Sequence, residues 1–134
     1  MNPEKKIAVV MPAREERKSI QEGRLLERVL DEIPKGYEPS LYVSVSNAQP
    51  DFVDLMEDIS SQEDRIKTIN LGNPDPRGLA YAYLYGLRQA VNDGAEMVIE
   101  MDSNGAHDPI YIREFLDRLE KGLLFLQDLA RKVK

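Results

Sequence analysis

A short acidic segment, residues 100–109 with the sequence EMDSNGAHDP, holds the side chains best suited to metal and phosphate chemistry. It follows a compact apolar run at 95–101, and it precedes a predicted helix that Asp108 can cap while Pro109 occupies the first turn. Asp102 therefore lies at the carboxyl end of a predicted strand, the edge where open α/β sheets bind ligands. A carboxylate there can hold magnesium or manganese against phosphate oxygens, because hard cations take oxygen ligands. The alternative is that Asp102 is a solvated turn residue.

Three further polar segments follow predicted strands and therefore converge on the same edge: residues 12–17 (PAREER), 45–51 (VSNAQPD) and 73–86 (NPDPRGLAYAYLYG). The third segment places Arg77 immediately before a predicted helix. A helix amino terminus beside a guanidinium is a diphosphate site, because unpaired backbone donors and positive charge converge there. The alternative for Arg77 is a surface turn residue.

The elements that position these segments alternate strictly between strand and helix. Continuous apolar runs are typical of strands buried on both faces of a parallel sheet. We predict strands at 7–11, 41–45, 65–71 (toward an edge) and 95–101. We predict helices from a capping box at Ser19 and Glu22 to Ile33, over 51–59, from Leu79 to a left-handed cap at Gly94, and from Pro109 onward. This alternation indicates a three-layer, Rossmann-like α/β fold with right-handed crossovers.

Length and composition narrow the class of protein. The 134 residues make one domain, and 42% hydrophobic with 31% charged residues indicate a soluble, globular chain. The net charge of -6 argues against nucleic-acid binding, which needs a cationic face. With no cysteine and one histidine, disulfides are excluded and a zinc site is not expected. No apolar run reaches the length of a spanning helix and no signal-peptide pattern is present, so the expected address is the cytoplasm, with peripheral membrane contact left open.

The carboxyl-terminal segment carries a separate pattern. Apolar residues recur at helical spacing from Ile112 to Val133, and the last third is Leu-rich with a basic end. We expect residues 123–134 to form a divergent terminal helix of the single domain 1–134. Its apolar stripe either packs on the sheet or, because Leu124 and Phe125 lie off the stripe, forms a homodimer or membrane-facing surface.

The four edge segments, in this order and spacing, resemble the family-two glycosyltransferases of the GT-A fold. The resemblance is strongest to the polyprenyl-phosphate (dolichol-phosphate) mannosyl- and glucosyltransferase type, and it covers residues 6–122. It implies the strand order 3-2-1-4 of the nucleotide-binding half of a GT-A fold. It also implies a nucleotide diphosphate sugar as donor, magnesium or manganese as cofactor, and transfer of a hexose to a polyprenyl phosphate or similar acceptor at the cytoplasmic face of a membrane.

The resemblance assigns site residues one by one, although it assigns no catalytic residue. The donor-binding positions are Pro12, Glu16, Ser46, Asn47, Arg77, Gly78 and Asp102, and the metal positions are Asp102 and Asn104. Ser46 stands where the family has an Asp that contacts the base, and a neutral hydroxyl lacks the strength of a charge-assisted hydrogen bond. Asn104 stands where the family has the second Asp of its metal motif, so metal affinity should fall.

Two hypotheses follow from these departures. The first is a compact or truncated glycosyltransferase whose acceptor site needs a partner or a second copy. The second is a non-catalytic scaffold of the same lineage that acts by self-association or by binding another protein. A phosphoacceptor receiver domain is a weaker third hypothesis, because its acidic cluster and lysine follow a different arrangement.

Overall fold

The structure is a computed structural model, and it describes residues 4–121. Strands and helices alternate along this part of the chain. The strands are β1 (Lys5–Ala13), β2 (Tyr37–Ser46), β3 (Ile66–Gly72) and β4 (Met97–Glu100), and the helices are α1 (Leu25–Glu32), α2 (Pro50–Gln62), α3 (Leu79–Asn92) and α4 (Tyr111–Glu120). All strand pairs are parallel, and the order across the sheet is β3-β2-β1-β4. The predicted fold class and strand order are therefore confirmed, including the edge position of β3.

Strand β1 forms the centre of the sheet because its apolar run can be covered on both faces. Every side chain from Ile7 to Met11 is fully buried. The strand continues past this predicted run to Ala13, and Pro12 pairs with Ser44 of β2. Pro12 can lie inside the strand because β4 has already ended on the other side, so its missing N–H removes no ladder bond there.

The two faces of the sheet are covered unequally. Helices α1, α2 and α4 share the larger core with alternate residues of β1 and β2, whereas α3 packs mainly on the opposite face. Gly86 lets α3 approach that face closely. A Cβ atom at Gly86 would lie 2.5 Å from Cγ1 of Val10 and 3.2 Å from the Ser44 hydroxyl oxygen. The third layer therefore depends on a glycine in the middle of a helix.

The predicted start of the first helix was wrong. Residues Lys18–Glu22 form a short π-helical turn, and α1 begins only at Leu25, after a left-handed residue at Arg24 (φ 52°). Ser19 forms no capping box with Glu22, because its hydroxyl donates to the carbonyl oxygens of Glu16 and Ser103. The Ser19 hydroxyl therefore forms a long-range hydrogen bond to Ser103 and does not form the helix cap that the local sequence predicted.

The remaining differences concern the ends of elements. Strand β2 starts four residues before the predicted position because residues 37–40 already pair with β1. Helix α2 extends to Gln62, β4 is limited to Met97–Glu100, and α4 starts at Tyr111. Asp108 still accepts a hydrogen bond from the Ile110 backbone (3.0 Å) in the turn before α4. The predicted helix at 123–134 lies outside the described residues.

Candidate functional site

The strand order creates a crevice between β1 and β4 at their carboxyl ends. The chain moves outward from β1 to β2 and β3, and then returns to place β4 on the other side of β1. Loops on either side of such a reversal diverge and leave room for a ligand. A cavity of about 660 Å³ lies here, and Glu16 and Asn104 both line it. Two predicted site residues from opposite ends of the chain therefore share one cavity.

The first loop holds the Glu16 carboxylate against its own backbone. Oε2 of Glu16 accepts hydrogen bonds from the amide nitrogens of Arg14 (2.6 Å) and Glu15 (2.9 Å). This geometry fixes the carboxylate at the mouth of the cavity. The role predicted for Glu16, binding the nucleoside of a donor, stays a prediction.

Glu15 and Arg17 attach the first loop to the start of α2, and the sequence did not single out either residue. Oε1 of Glu15 accepts a hydrogen bond from the Gln49 backbone at 2.6 Å. Arg17 forms an ion pair with Asp51 at 2.9 Å, and its guanidinium lies 5.5 Å from the ring centre of Phe52. The excess of charged residues in the segment PAREER was the only signal, and it did not identify their partners.

Asn47 joins the loop after β2 to the loop after β3. Its backbone is left-handed (φ 54°), a conformation that Asn adopts more readily than most residues. Nδ2 of Asn47 donates to the Asp75 carbonyl at 2.9 Å, and Oδ1 accepts from the Asp75 backbone N–H at 2.7 Å. The Asn47 amide is thus paired through both polar atoms with the main chain of one residue, and this pairing holds the two loops together.

Asp75 in turn fixes Arg77. The Asp75 side chain is only 1% exposed, and Oδ1 accepts from Nε of Arg77 at 2.7 Å and from the Arg77 backbone at 3.2 Å. The hydrogen bond from Arg77 holds the pKa of Asp75 below its ordinary value, and the same bond raises the pKa of Arg77. Arg77 also donates to the Leu71 carbonyl and lies 4.1 Å from the Tyr81 ring centre. We call Asn47, Asp75 and Arg77 the Asn47 cluster.

The Asn47 cluster lies at the amino terminus of α3. Gly78, the residue that precedes the helix, has φ 87° and ψ -177°, a conformation that only glycine adopts without strain. No side chain caps α3, and its first turn carries no acidic residue. The first backbone amides of α3 are therefore available to an anion beside the guanidinium of Arg77.

The loop after β4, residues 101–107, is called the Asp102 loop below. Oδ1 of Asp102 accepts from the Asn104 backbone at 3.3 Å, and Oδ1 of Asn104 accepts from the Ala106 backbone at 2.8 Å. His107 closes the loop, because its Nδ1 accepts a hydrogen bond from the Asp102 backbone at 3.1 Å. The single histidine of the chain thus has a structural partner within this loop. The Ser19 hydroxyl ties this loop to the first loop through the Ser103 carbonyl.

The two metal ligands predicted from the sequence, Asp102 and Asn104, are too few to hold a metal ion without further ligands from a bound substrate. Within residues 4–121 no group of three His, Cys, Asp or Glu side chains is arranged to hold a metal ion. Asp102 offers one carboxylate whose Oδ2 has no hydrogen-bond partner among those residues, and Asn104 offers a neutral amide. Magnesium and manganese often bind through one or two carboxylates with substrate phosphates completing the shell. The donor set suits a cation that arrives with a diphosphate.

Two further observations concern the end of β2 and the position of helix α3. Ser46 ends β2 opposite Gly72, and its hydroxyl has no hydrogen-bond partner within the described part of the chain. Burial and the nearby carboxylates of Asp102 and Glu100 raise the pKa of Tyr83 in α3. Helix α3, which begins beside Arg77, therefore brings its second turn within electrostatic reach of the Asp102 loop.

A parallel sheet in this order, with polar loops gathered at its carboxyl edge, defines a Rossmann-like domain of the GT-A type. The family model described as glycosyl transferase family 2 matches residues 8–129, so the chain belongs to that family. Membership implies glycosyl transfer in general. The match also extends beyond Gly122, where the sequence resemblance was expected to end. Among the residues that the structure describes, none of the helices has the length and apolar character needed to cross a membrane.

Proposed function

We propose that this domain binds a nucleotide diphosphate sugar across the carboxyl edge of its sheet and transfers the hexose to a polyprenyl phosphate or similar acceptor. The observation that carries the proposal is the uncapped amino terminus of α3 beside Arg77, in a chain of glycosyl transferase family 2. This pairing provides backbone donors and a fixed positive charge for a diphosphate.

In this proposal each loop has its own part in donor binding. The amides at the start of α3 and the outer edge of Arg77 bind the diphosphate. Glu16 and Ser46, near the ends of β1 and β2, accept and donate hydrogen bonds to the nucleoside, with Pro12 in the strand that supports them. Asp102, assisted by Asn104, would hold the divalent cation. When bound, magnesium or manganese neutralises the charge of a departing diphosphate.

An anionic phosphate is the acceptor that asks least of this site. A hydroxyl nucleophile needs a general base such as a carboxylate or an imidazole, whereas a phosphate oxygen is already negatively charged and needs none. A polyprenyl phosphate would also bring the domain to a membrane surface through peripheral contact, and acceptor binding could require a second copy of the chain.

Calorimetric titration tests the donor half of the proposal. GDP-mannose, UDP-glucose, GDP and UDP are each titrated with and without manganese. We expect manganese-dependent heat for at least one nucleotide and its sugar conjugate. Absence of any such heat at millimolar ligand would contradict the proposal. Transfer of labelled hexose to a polyprenyl phosphate in detergent, compared with a dephosphorylated polyprenol, tests the acceptor.

A second candidate is a non-catalytic binding module of the same family. It is favoured by the neutral side chains of Ser46 and Asn104, at positions where the resemblance expects carboxylates. This module would bind a nucleotide diphosphate without transferring sugar, or would associate through its carboxyl-terminal residues. Sedimentation of the intact chain, compared with a chain ending at Lys121, tests the association. Identical monomeric behaviour would remove that alternative.

A further inference from the structure

We propose that Asn47 is a positioning residue for Arg77 and does not contact the donor. The inference rests on the proposed function, because it assigns Arg77 to the diphosphate. It also changes the role that the sequence resemblance gave to Asn47, which was a donor-binding residue. Three links in the structure lead from the Asn47 amide to the Arg77 guanidinium.

The first link joins Asn47 to the Asp75 main chain. Both polar atoms of the Asn47 amide are engaged with one residue 28 positions along the chain, at 2.9 and 2.7 Å. This pair uses one N–H of Nδ2 and one lone pair of Oδ1, and it orients the amide toward the loop after β3. The reciprocal pair therefore fixes the position of the Asp75 backbone.

The second link joins the Asp75 backbone to its carboxylate. The side chain is almost completely buried, and its Oδ2 is buried without a hydrogen-bond partner in the described residues. A buried carboxylate is stable only where its charge is compensated, and here the compensation comes from Arg77 through Oδ1. The carboxylate consequently has one favourable position, which the Asn47 amide sets.

The third link joins the carboxylate to the guanidinium. Nε of Arg77 is held by Asp75, Nη2 donates to the Leu71 carbonyl at 3.2 Å, and the guanidinium lies over the ring of Tyr81. Nη1 has no protein partner among residues 4–121, and the Arg77 side chain is 44% exposed. The Nη1 group of Arg77, which remains available to a phosphate, is thus held in one orientation. Without Asn47 the positive charge would persist, but its orientation would not.

Replacement of Asn47 by glycine is the most direct test, because it removes the amide without changing charge and tolerates φ 54°. Asn70→Ala is the matched control, since the Asn70 amide bonds only the nearby Gly72 backbone. Affinity for UDP and for GDP, each with manganese, is measured in Asn47→Gly, Arg77→Ala and the double variant. Circular dichroism and thermal unfolding establish that each variant is folded. Asn47→Asp, which keeps the acceptor oxygen and loses the donor, is a second variant if Asn47→Gly is unfolded.

We expect Asn47→Gly to weaken nucleoside diphosphate binding about 10-fold when Arg77 is present, because a preorganised contact is lost. In the Arg77→Ala background the same change should alter affinity by less than about 2-fold, since residues that act through one another are not additive. Asn70→Ala should also stay within about 2-fold. Equal weakening in both backgrounds would overturn the inference, and so would an unchanged affinity in both.

The Nε–H signal of Arg77 in the NMR spectrum of the ligand-free protein provides a separate measurement. We expect slow hydrogen exchange in the wild type and fast exchange in Asn47→Gly, with the Asn70→Ala signal unchanged. If no nucleoside diphosphate binds the wild type, the proposed function fails, and this exchange rate still decides whether Asn47 positions Arg77. Equal exchange rates in wild type and Asn47→Gly would overturn the positioning role.

Discussion

The two halves of the carboxyl edge are built in opposite ways. In the Asn47 cluster, the amide of Asn47 binds the main chain of Asp75 on another loop, and the nearly buried carboxylate of Asp75 holds Arg77. In the Asp102 loop, side chains bind backbone groups of the same loop, and both Asp102 and Asn104 remain accessible to solvent. In the proposed function, the first half is a preformed anion site, and the second is a set of oxygen ligands that a cation and phosphates would complete.

This difference indicates how the two halves should respond to change. Long-range contacts fix the Asn47 cluster, so alterations in packing should affect it most. Short local turns define the Asp102 loop, so exchanging its side chains should change metal binding with little effect on folding. The predictions below begin with the largest expected effect.

Gly86→Ala should disturb the support of the Asn47 cluster. The added methyl would meet Val10 at 2.5 Å, and Val10 is a fully buried, β-branched residue of the central strand that cannot turn away. We expect the free energy of unfolding to fall by about 3 kcal/mol, the upper range for overpacking. Denaturant titration measures it. Arg88→Ala, at an exposed position of the same helix, should stay within about 0.5 kcal/mol. Comparable stability of the two variants would contradict the close packing of α3.

Asp102→Asn should separate the two halves functionally. The amide keeps the size of the side chain and can still accept from the Asn104 backbone, but it removes the negative charge. We expect the manganese-dependent part of UDP or GDP affinity to fall about 30-fold, or about 2 kcal/mol, while metal-independent binding at Arg77 persists. Asp108→Asn is the control, because Asp108 pairs with Arg28 outside the loop. An equal loss of affinity without manganese would contradict the division.

Asn104→Asp should strengthen the weaker half. It adds a carboxylate in the same loop as Asp102 and retains an acceptor for the Ala106 backbone. We expect manganese-dependent affinity for UDP or GDP to rise about 10-fold, because hard cations prefer charged oxygen ligands. Titration of wild type and variant side by side measures the change. No gain, in a folded variant, would mean that position 104 does not face the cation.

Tyr42→Phe tests a third polar network, which lies away from the carboxyl edge. Burial, followed by the hydrogen bond to Asp93 at 2.6 Å, raises the pKa of Tyr42 from 10.0 to about 12. The folded state therefore retains this proton where the unfolded state has lost it, and stability falls as pH rises from 10 to about 12. We expect the variant to lose less stability over this range, by on the order of 1 kcal/mol. Tyr37, with a similarly raised pKa, should preserve part of the slope. Denaturant titration at several alkaline pH values measures this loss, and identical slopes would contradict the assignment.

The sequence predicted those parts of the fold that local patterns encode. The apolar run of β1, the glycines at both ends of α3 and the alternation of elements each follow from neighbouring residues, and the sheet order agrees with the family resemblance. The helix start at Ser19 was wrong because the acceptor of its hydroxyl, Ser103, lies 84 residues away. No local pattern contains that partner.

The candidate site shows the same division between local and distant signals. Asp102 and Arg77 were predicted as site residues because a charged residue after a strand or before a helix is a local signal, and their roles stay predictions. Asp75 was missed because, in a segment rich in turn residues, its sequence context is that of a solvated acid. Its burial depends on an amide 28 positions earlier in the chain, on another loop. Because the sequence was interpreted one loop at a time, it could not reveal that Asp75 is buried.

The contact between Ser19 and Ser103 also bears on when the site can form during synthesis. Strand β4 enters the sheet beside β1, so the last described strand must find the first one. As the chain leaves the ribosome, β1, β2 and β3 can assemble before the Asp102 loop is translated. A growing chain can therefore assemble the Asn47 cluster early, but the cavity between the first and last loops closes only after the later part has emerged.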